Sequence, residues 1–252
     1  MKRVRAKKHL GQHFLEDLNI AENIVNLFSE KNKSVLEIGP GMGALTQFLI
    51  KKNIDLSVIE LDRESVFYLR LNYPKLEIIE GDFLKLDLLE INPEPISIIG
   101  NFPYNISSQI LFKAFDNRDK VTEIIGMFQK EVAERIVAKK GKKRGILSVL
   151  LQAFYDIEYC FTVDENVFTP PPKVKSGVLK LVRNERKELD CNEKLFIQIV
   201  KAGYNQRRKT LRNALKSFNL EANLEIDFLL QKRAEQLSVE DFIKITNHVR
   251  KN

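Results

Sequence analysis

From residue 34 onward, short apolar runs rich in Val and Ile alternate with stretches of helical periodicity. SVLEIGPG (34–41) predicts a buried strand that ends in a glycine turn, and residues 43–52 a helix after it. DLSVIEL (55–61), LEIIEGD (76–82), ISIIGNF (96–102) and EIIGMF (123–128) predict four more strands. Helices are expected at 63–72, at 107–115 (opened by Ser107), at 129–138 and at 145–155. YCFTV (159–163) and SGVLKLV (176–182) are two later strands. Only the Pro-rich VFTPPPKV lies between them, so an antiparallel pairing is expected. Strand–helix alternation of this kind implies an α/β fold, a mostly parallel seven-stranded sheet covered by helices on both faces. Past residue 184 the strand signal stops. LFIQIVKAGY, RRKTLRNALKSF, LEIDFLL and SVEDFIKITNHV follow helical spacing. The expected organisation is a sheet domain over 1–183 with a basic N-terminal arm, a linker over 184–193 and a small all-helical C-terminal domain over 194–252.

Composition narrows this picture without redrawing it. The 252 residues are 44% hydrophobic and 30% charged, as in an ordinary soluble protein. No apolar run reaches about 18 residues, so no membrane span is expected. The first residues, MKRVRAKKHLGQHF, lack the apolar core of a secretion signal. Cys160, Cys191, His9, His13 and His248 show no metal-ligand spacing, so no metal is expected and a cytoplasmic setting fits.

Charge adds a partner class. The net charge of +7 is concentrated in acid-free runs, while residues 55–100 are acidic on balance. Lys2, Arg3, Arg5, Lys7 and Lys8 form one basic run, and KKGKKR (139–144) a second. The third spans 194–220 and includes Arg207, Arg208 and Lys209. One such run is ordinary solvated surface; three favour a nucleic acid. Lys7, Lys8, Lys142, Lys143, Arg144, Arg207, Arg208 and Lys209 are the candidate nucleic-acid contacts.

Candidate chemistry sits at the strand ends. Glu37, Gly39, Gly41 and Gly43 occupy the first strand-to-helix turn, where glycines let a backbone approach a nucleotide closely. The turn satisfies a dinucleotide fingerprint as well as a methyltransferase one. Glu60 ends the second strand, placed to accept both ribose hydroxyls of either cofactor. Asp82 ends the third, where an acid can take an adenine amine. Asn101-Phe102-Pro103-Tyr104, at the end of the fourth strand, separates the alternatives. An exocyclic aromatic amine is a poor nucleophile because its lone pair is delocalised into the ring. The Asn101 side-chain oxygen and the carbonyl of Phe102 or Pro103 can accept its two hydrogens and hold the lone pair toward a methyl donor. Pro103 stiffens the backbone, and Tyr104 offers a face on which an extruded base stacks.

With these motifs in hand, the chain resembles the KsgA-type small-subunit ribosomal RNA adenine dimethyltransferases. KKHLGQHFL (7–15), EIGPGMGALT (37–46), VIELDR (58–63), GNFPYNIS (100–107), QKEVAERI (129–136), FTPPPKVKS (168–176) and NQRRKTLRN (205–213) carry the resemblance. It implies a Rossmann-like class I methyltransferase domain, S-adenosylmethionine as cofactor, and dimethylation of two adjacent adenosines near the 3′ end of small-subunit rRNA within an assembling subunit. The enzyme is expected to be a monomer. By position, His13, Leu15, Gly39, Glu60, Asp82 and Asn101 would contact the cofactor, and Asn101, Tyr104 and Phe168 would handle the base. His13 stands where the family usually has Asn, and Phe102 where Leu is usual. Competing readings are an Erm-type large-subunit rRNA dimethyltransferase, a non-catalytic assembly factor on the same fold and an NAD-dependent oxidoreductase. FTPPPKV and NQRRKTLRN favour the KsgA type over the first, and intact Asn101, Tyr104 and Glu60 argue against the second. No placed Tyr-Lys pair or His supports the third.

Overall fold

The computed structural model describes residues 4–29, 33–221 and 223–250; Lys2 and Arg3 of the basic arm lie outside them. The strands are β1 Phe14–Leu15, β2 Ser34–Ile38, β3 Asp55–Glu60, β4 Glu77–Glu80, β5 Ile96–Asn101, β6 Val121–Gln129, β7 Tyr155–Val163, β8 Phe168–Thr169 and β9 Ser176–Arg183. The helices are α1 Leu18–Asn26, α2 Thr46–Leu49, α3 Arg63–Asn72, α4 Ser107–Asp116, α5 Lys130–Val137, α6 Ile146–Phe154, α7 Glu193–Asn205, α8 Leu211–Ala214, α9 Leu224–Leu230 and α10 Val239–Asn247.

Among the described residues, seven strands form one sheet in the order β4-β3-β2-β5-β6-β9-β7. β2 runs parallel to β3 and β5, β3 to β4, and β5 to β6, whereas β9 turns antiparallel on β6. Every residue of β2 is buried, as are the first five of β5. A strand covered on both faces reads as a continuous apolar run, which is why these two were legible. The chain leaves β2 for β3 on one side and later returns to β5 on the other. That reversal opens a crevice at the carboxyl ends of β2, β3 and β5.

Local chemistry sets the helix starts. Asp17 caps α1 by accepting from the backbone N–H groups of Asn19 and Ile20, and Asp62 caps α3 through Glu64 N–H. Two expectations are corrected. The helix expected over 43–52 is only Thr46–Leu49, because Gly41 and Gly43 hold positive φ values of 58° and 85° that no α-helix tolerates. α4 does open at Ser107, which is buried inside the first turn and donates to the Tyr104 carbonyl. The RRK of 207–209 lies in a turn, and helix resumes only at Leu211.

The chain divides into two compact units. One holds the chain up to Ala133 together with Ile157–Arg183; the other holds Glu134–Asp156 and the chain from Asn184 onward. The sequence reading kept 1–183 together. The difference is α6, where Val149, Leu150, Leu151, Ala153 and Phe154 are all buried. A helix apolar on nearly every face needs cover on every side, and α6 packs on α7 and α10.

Candidate active site

A cleft of about 200 Å³ lies at the reversal point of the sheet. The glycine turn floors it. Gly39 and Gly41 adopt left-handed φ values of 65° and 58°, and a Cβ on Gly41 would sit 2.9 Å from the Phe14 ring. Glycine is therefore required at 41 for both conformation and space. Glu60 braces the turn from β3: one carboxylate oxygen accepts from Gly41 N–H at 3.0 Å and the other from Asp62 N–H at 2.8 Å. Burial raises its pKa, against those backbone bonds.

Glu37 is fully buried beneath the turn, and the Thr46 hydroxyl donates to it at 2.6 Å. Burial pushes its carboxyl up to about 8; the nearby Glu60 charge adds to this and the Thr46 bond opposes it. At neutral pH the Glu37 carboxyl beneath the turn is thus mostly protonated.

The N-terminal arm closes one wall. The Lys7 ammonium pairs with buried Asp62 and, at 3.2 Å, with Glu64. Gln12 Nε2 donates to the same Asp62 at 3.2 Å. Burial alone would raise the Asp62 pKa, but the Lys7, Gln12 and Glu64 hydrogen bonds outweigh it and hold the group below its ordinary value. Lys7, expected at the RNA, is engaged in fastening the arm to the start of α3. Lys8 is exposed.

His13 joins three parts of the site. Its carbonyl accepts from Asn101 Nδ2 at 2.8 Å, and its ring stacks on Tyr104 with centroids 5.5 Å apart. Its Nδ1 lies 2.7 Å from the Pro170 carbonyl. A carbonyl only accepts, so Nδ1 carries the hydrogen. With Asn101 Nδ2 committed to His13, Oδ1 is the acceptor left for the cleft. The Pro103 carbonyl already accepts from Ile106 N–H at 3.1 Å, which leaves the Phe102 carbonyl as the better second acceptor. The Tyr104 hydroxyl is anchored 2.6 Å from Ser176 Oγ at the start of β9, and burial raises its pKa.

The cleft thus gathers His13, Leu15, Glu37, Gly39, Gly41, Glu60, Asp82, Asn101, Pro103 and Tyr104 in one place. Asp82 caps the short turn Phe83–Lys85 by accepting from Leu84 N–H at 2.9 Å. Phe168 is not brought to the cleft. Its ring is 2% exposed and packs with Leu15, Ile24 and Val163, because β8 pairs with β1 in a register that sets Phe168 opposite Leu15. Arg144 does not reach the surface either: it is 1% exposed. Lys142 and Lys143 beside it are exposed, Lys143 paired with Glu134. Arg207 donates to Glu235 at 3.1 Å and to the Arg144 carbonyl at 3.3 Å, while Arg208 and Lys209 are exposed.

Several lining residues were not anticipated, Leu61 among them. Leu61, immediately after Glu60, is 52% exposed and borders the cleft together with Phe83 and Leu84. An apolar side chain directly after a strand-end acid was the available signal.

A family model described as ribosomal RNA adenine dimethylase matches residues 3–251. The chain belongs to that family. A ribosomal RNA small subunit methyltransferase A from Cytophaga hutchinsonii is 59% identical over 98% of each chain. One from Flavobacterium johnsoniae is 58% identical over 99% of this chain and 97% of its own. Among solved structures, a dimethyladenosine transferase from Plasmodium falciparum superposes with a TM-score of 0.78 at 26% identity, covering 92% of this chain and 96% of that one. The 23S rRNA methyltransferase ErmE reaches 0.72 at 23% identity, covering 94% and 99%, and shows the shared fold. The mostly parallel seven-stranded sheet is accordingly the expected class I methyltransferase fold.

The Phe102 ring fits because two glycines leave it room. It is buried edge-on to Phe128, with centroids 5.3 Å apart, in space left by Gly100 and Gly126. A Cβ on Gly126 would lie 2.4 Å from the Phe102 ring. Gly126→Ala is expected to destabilise the fold by about 1–3 kcal/mol through overpacking. Paired with Phe102→Leu the loss should shrink, and equal melting of the single and double variants would show that Phe102 is not the obstacle.

Proposed function

We propose that this protein transfers methyl groups from S-adenosylmethionine to N6 of two adjacent adenosines near the 3′ end of small-subunit rRNA, forming N6,N6-dimethyladenosine during subunit assembly. The observation that carries this reading is Asn101, tied through Nδ2 to the His13 carbonyl so that Oδ1 faces its task beside the Tyr104 ring. Family membership and the small-subunit names of its relatives support the substrate.

The residues present fit the cofactor. Left-handed glycines at 39 and 41 give a bare backbone cradle, Glu60 supplies a carboxylate at the ribose position, and Leu61 and Asp82 suit an adenine face and amine. When bound, S-adenosylmethionine supplies a methyl group on a positively charged sulfur that departs as a neutral thioether. The chain's own work is orientation. Asn101 Oδ1 and the Phe102 carbonyl accept the two N6 hydrogens, which turns the lone pair out of conjugation with the ring. Tyr104, backed on one face by His13, leaves its other face for the base. The alkylated amine is acidic enough to lose its proton to water, so no strong base is needed. For the second transfer one hydrogen remains, and a single acceptor suffices to hold it.

In the helical unit, Arg208 and Lys209 are the free phosphate contacts, whereas Arg207 is a brace. Replacing Arg208 and Lys209 with Ala should flatten the salt dependence of RNA binding by about one to two counterions without lowering the melting temperature. Arg207→Ala should instead lower the melting temperature. A salt slope that stays constant in the Arg208/Lys209 variant would remove that turn from the RNA surface.

The proposal is tested by incubating the protein with labelled S-adenosylmethionine and unmethylated ribosomal subunits, then mapping the labelled nucleotides. Two adjacent dimethylated adenosines in the small subunit are expected. Label confined to large-subunit RNA would assign the Erm-type activity instead.

A further inference from the structure

A second groove, of about 1100 Å³, runs between the N-terminal arm and α3. Arg5, Phe14, Arg63, Phe67 and Leu71 line it, together with Glu64, whose charge is paired with Lys7. Arg63, Phe67 and Leu71 recur every fourth residue and share one face of α3. That face is not packed: Phe67 is 65% exposed and Leu71 more than half, while Val66 and Leu69 on the opposite face are buried. Two large apolar side chains one turn apart, flanked by cations, mark an interaction surface more than ordinary scattered exposure does.

The cations are available. Arg5 is exposed and has no acidic partner among the described residues. Arg63 meets Glu80 at 3.3 Å, but its side chain is 89% exposed, and an ion pair in that setting is weak enough to yield to a phosphate. The groove also adjoins the chemical cleft, since Phe14 borders both. The Phe14 ring packs over Gly41 of the glycine turn, and β1 pairs Phe14 with Thr169, which walls the groove beside Pro170.

We infer that this groove binds the single-stranded RNA that continues from the target adenosine, with a base stacked on Phe67 and the adjoining phosphates held by Arg5 and Arg63. Exposed aromatic faces interleaved with guanidinium groups are what unpaired RNA requires. An apolar protein segment would cover Phe67 and Leu71 and leave both arginines without partners. The inference rests on the proposed rRNA substrate and extends it to nucleotides outside the chemical cleft.

The test uses Phe67→Ala, Arg63→Ala and the double variant in the full chain. Both side chains are largely exposed, so the fold should be retained. Equilibrium binding to unmethylated small subunits and to protein-free small-subunit rRNA should weaken at least tenfold in the double variant. The salt slope should fall by about 0.7 for Arg63→Ala, the single-strand value for one phosphate. The KM for subunits should rise in parallel, with kcat and S-adenosylmethionine affinity unchanged, and Phe67→Trp should restore binding. Unchanged binding to both substrates would overturn the inference. Weakened binding to subunits alone, with protein-free rRNA unaffected, would also overturn it and assign the groove to a ribosomal protein. Because binding is read directly, a failure of the methylation reading would leave this result separately visible.

Discussion

Asn101→Ala should slow single-turnover methyl transfer by on the order of 100-fold or more, the range seen when one preorganised polar contact is removed from a reacting centre. The melting temperature should change little, since the lost Nδ2 bond to the His13 carbonyl is worth about 1 kcal/mol. Binding of rRNA should be almost untouched. Asn101→Asp is the informative companion. It keeps an oxygen but loses the donor that fixes it, and it sets a carboxylate against the His13 carbonyl. Its rate should therefore fall close to that of the Ala variant. A near-normal rate in either variant would mean that the amine is oriented by something other than this side chain.

The largest stability effect is expected at Glu37, and it depends on pH. In the folded protein its carboxyl titrates near 8, while in the unfolded chain it returns to about 4.5. Below about pH 4.5 both forms are protonated. Between 4.5 and 8 the folded state retains a proton that the unfolded state has lost, so stability falls as pH rises. Above about 8 both are ionised and the loss is complete. Glu37→Gln abolishes the titration and keeps an acceptor for the Thr46 hydroxyl. Its stability advantage over the parent protein should grow across this window to a few kcal/mol and then level off. Urea denaturation at a series of pH values measures it. An advantage that is flat from pH 4.5 to 8 would show that Glu37 ionises normally in the fold.

Much of the sheet was legible because parallel strands covered on both faces announce themselves as apolar runs closed by glycine. The strand-end positions of Glu60, Asp82 and Asn101 followed from those runs, and the cleft gathers all of them. What escaped was set by tertiary partners. β1 and β8 are two residues each, too short to show any period, and exist because each supplies the other's hydrogen bonds. Their register sends Phe168 inward, a choice of face that a motif cannot state. The run KKGKKR reads as uniformly basic, yet Gly141 turns the backbone at a φ of 91° and Arg144 ends inside the helical unit. The α1 helix was passed over, although Asp17 before Leu18 was a usable cap signal.

The pairing of β1 with β8 also dictates when the cleft can be completed as the chain is made. His13 meets Pro170 across 157 positions, and Asn101 depends on that same His13 carbonyl. Contacts of such high order close late, after local helices and neighbouring strands have formed. A nascent chain truncated before β8 emerges can build β2 through β6 and tie Lys7 and Gln12 to Asp62, but it lacks the β1–β8 pairing and the Pro170 carbonyl that fix His13, so the anchor of the Asn101 amide is incomplete. The glycine turn would then be ready to hold a cofactor well before the protein is competent to orient a base, which separates the acquisition of binding from the acquisition of chemistry during synthesis.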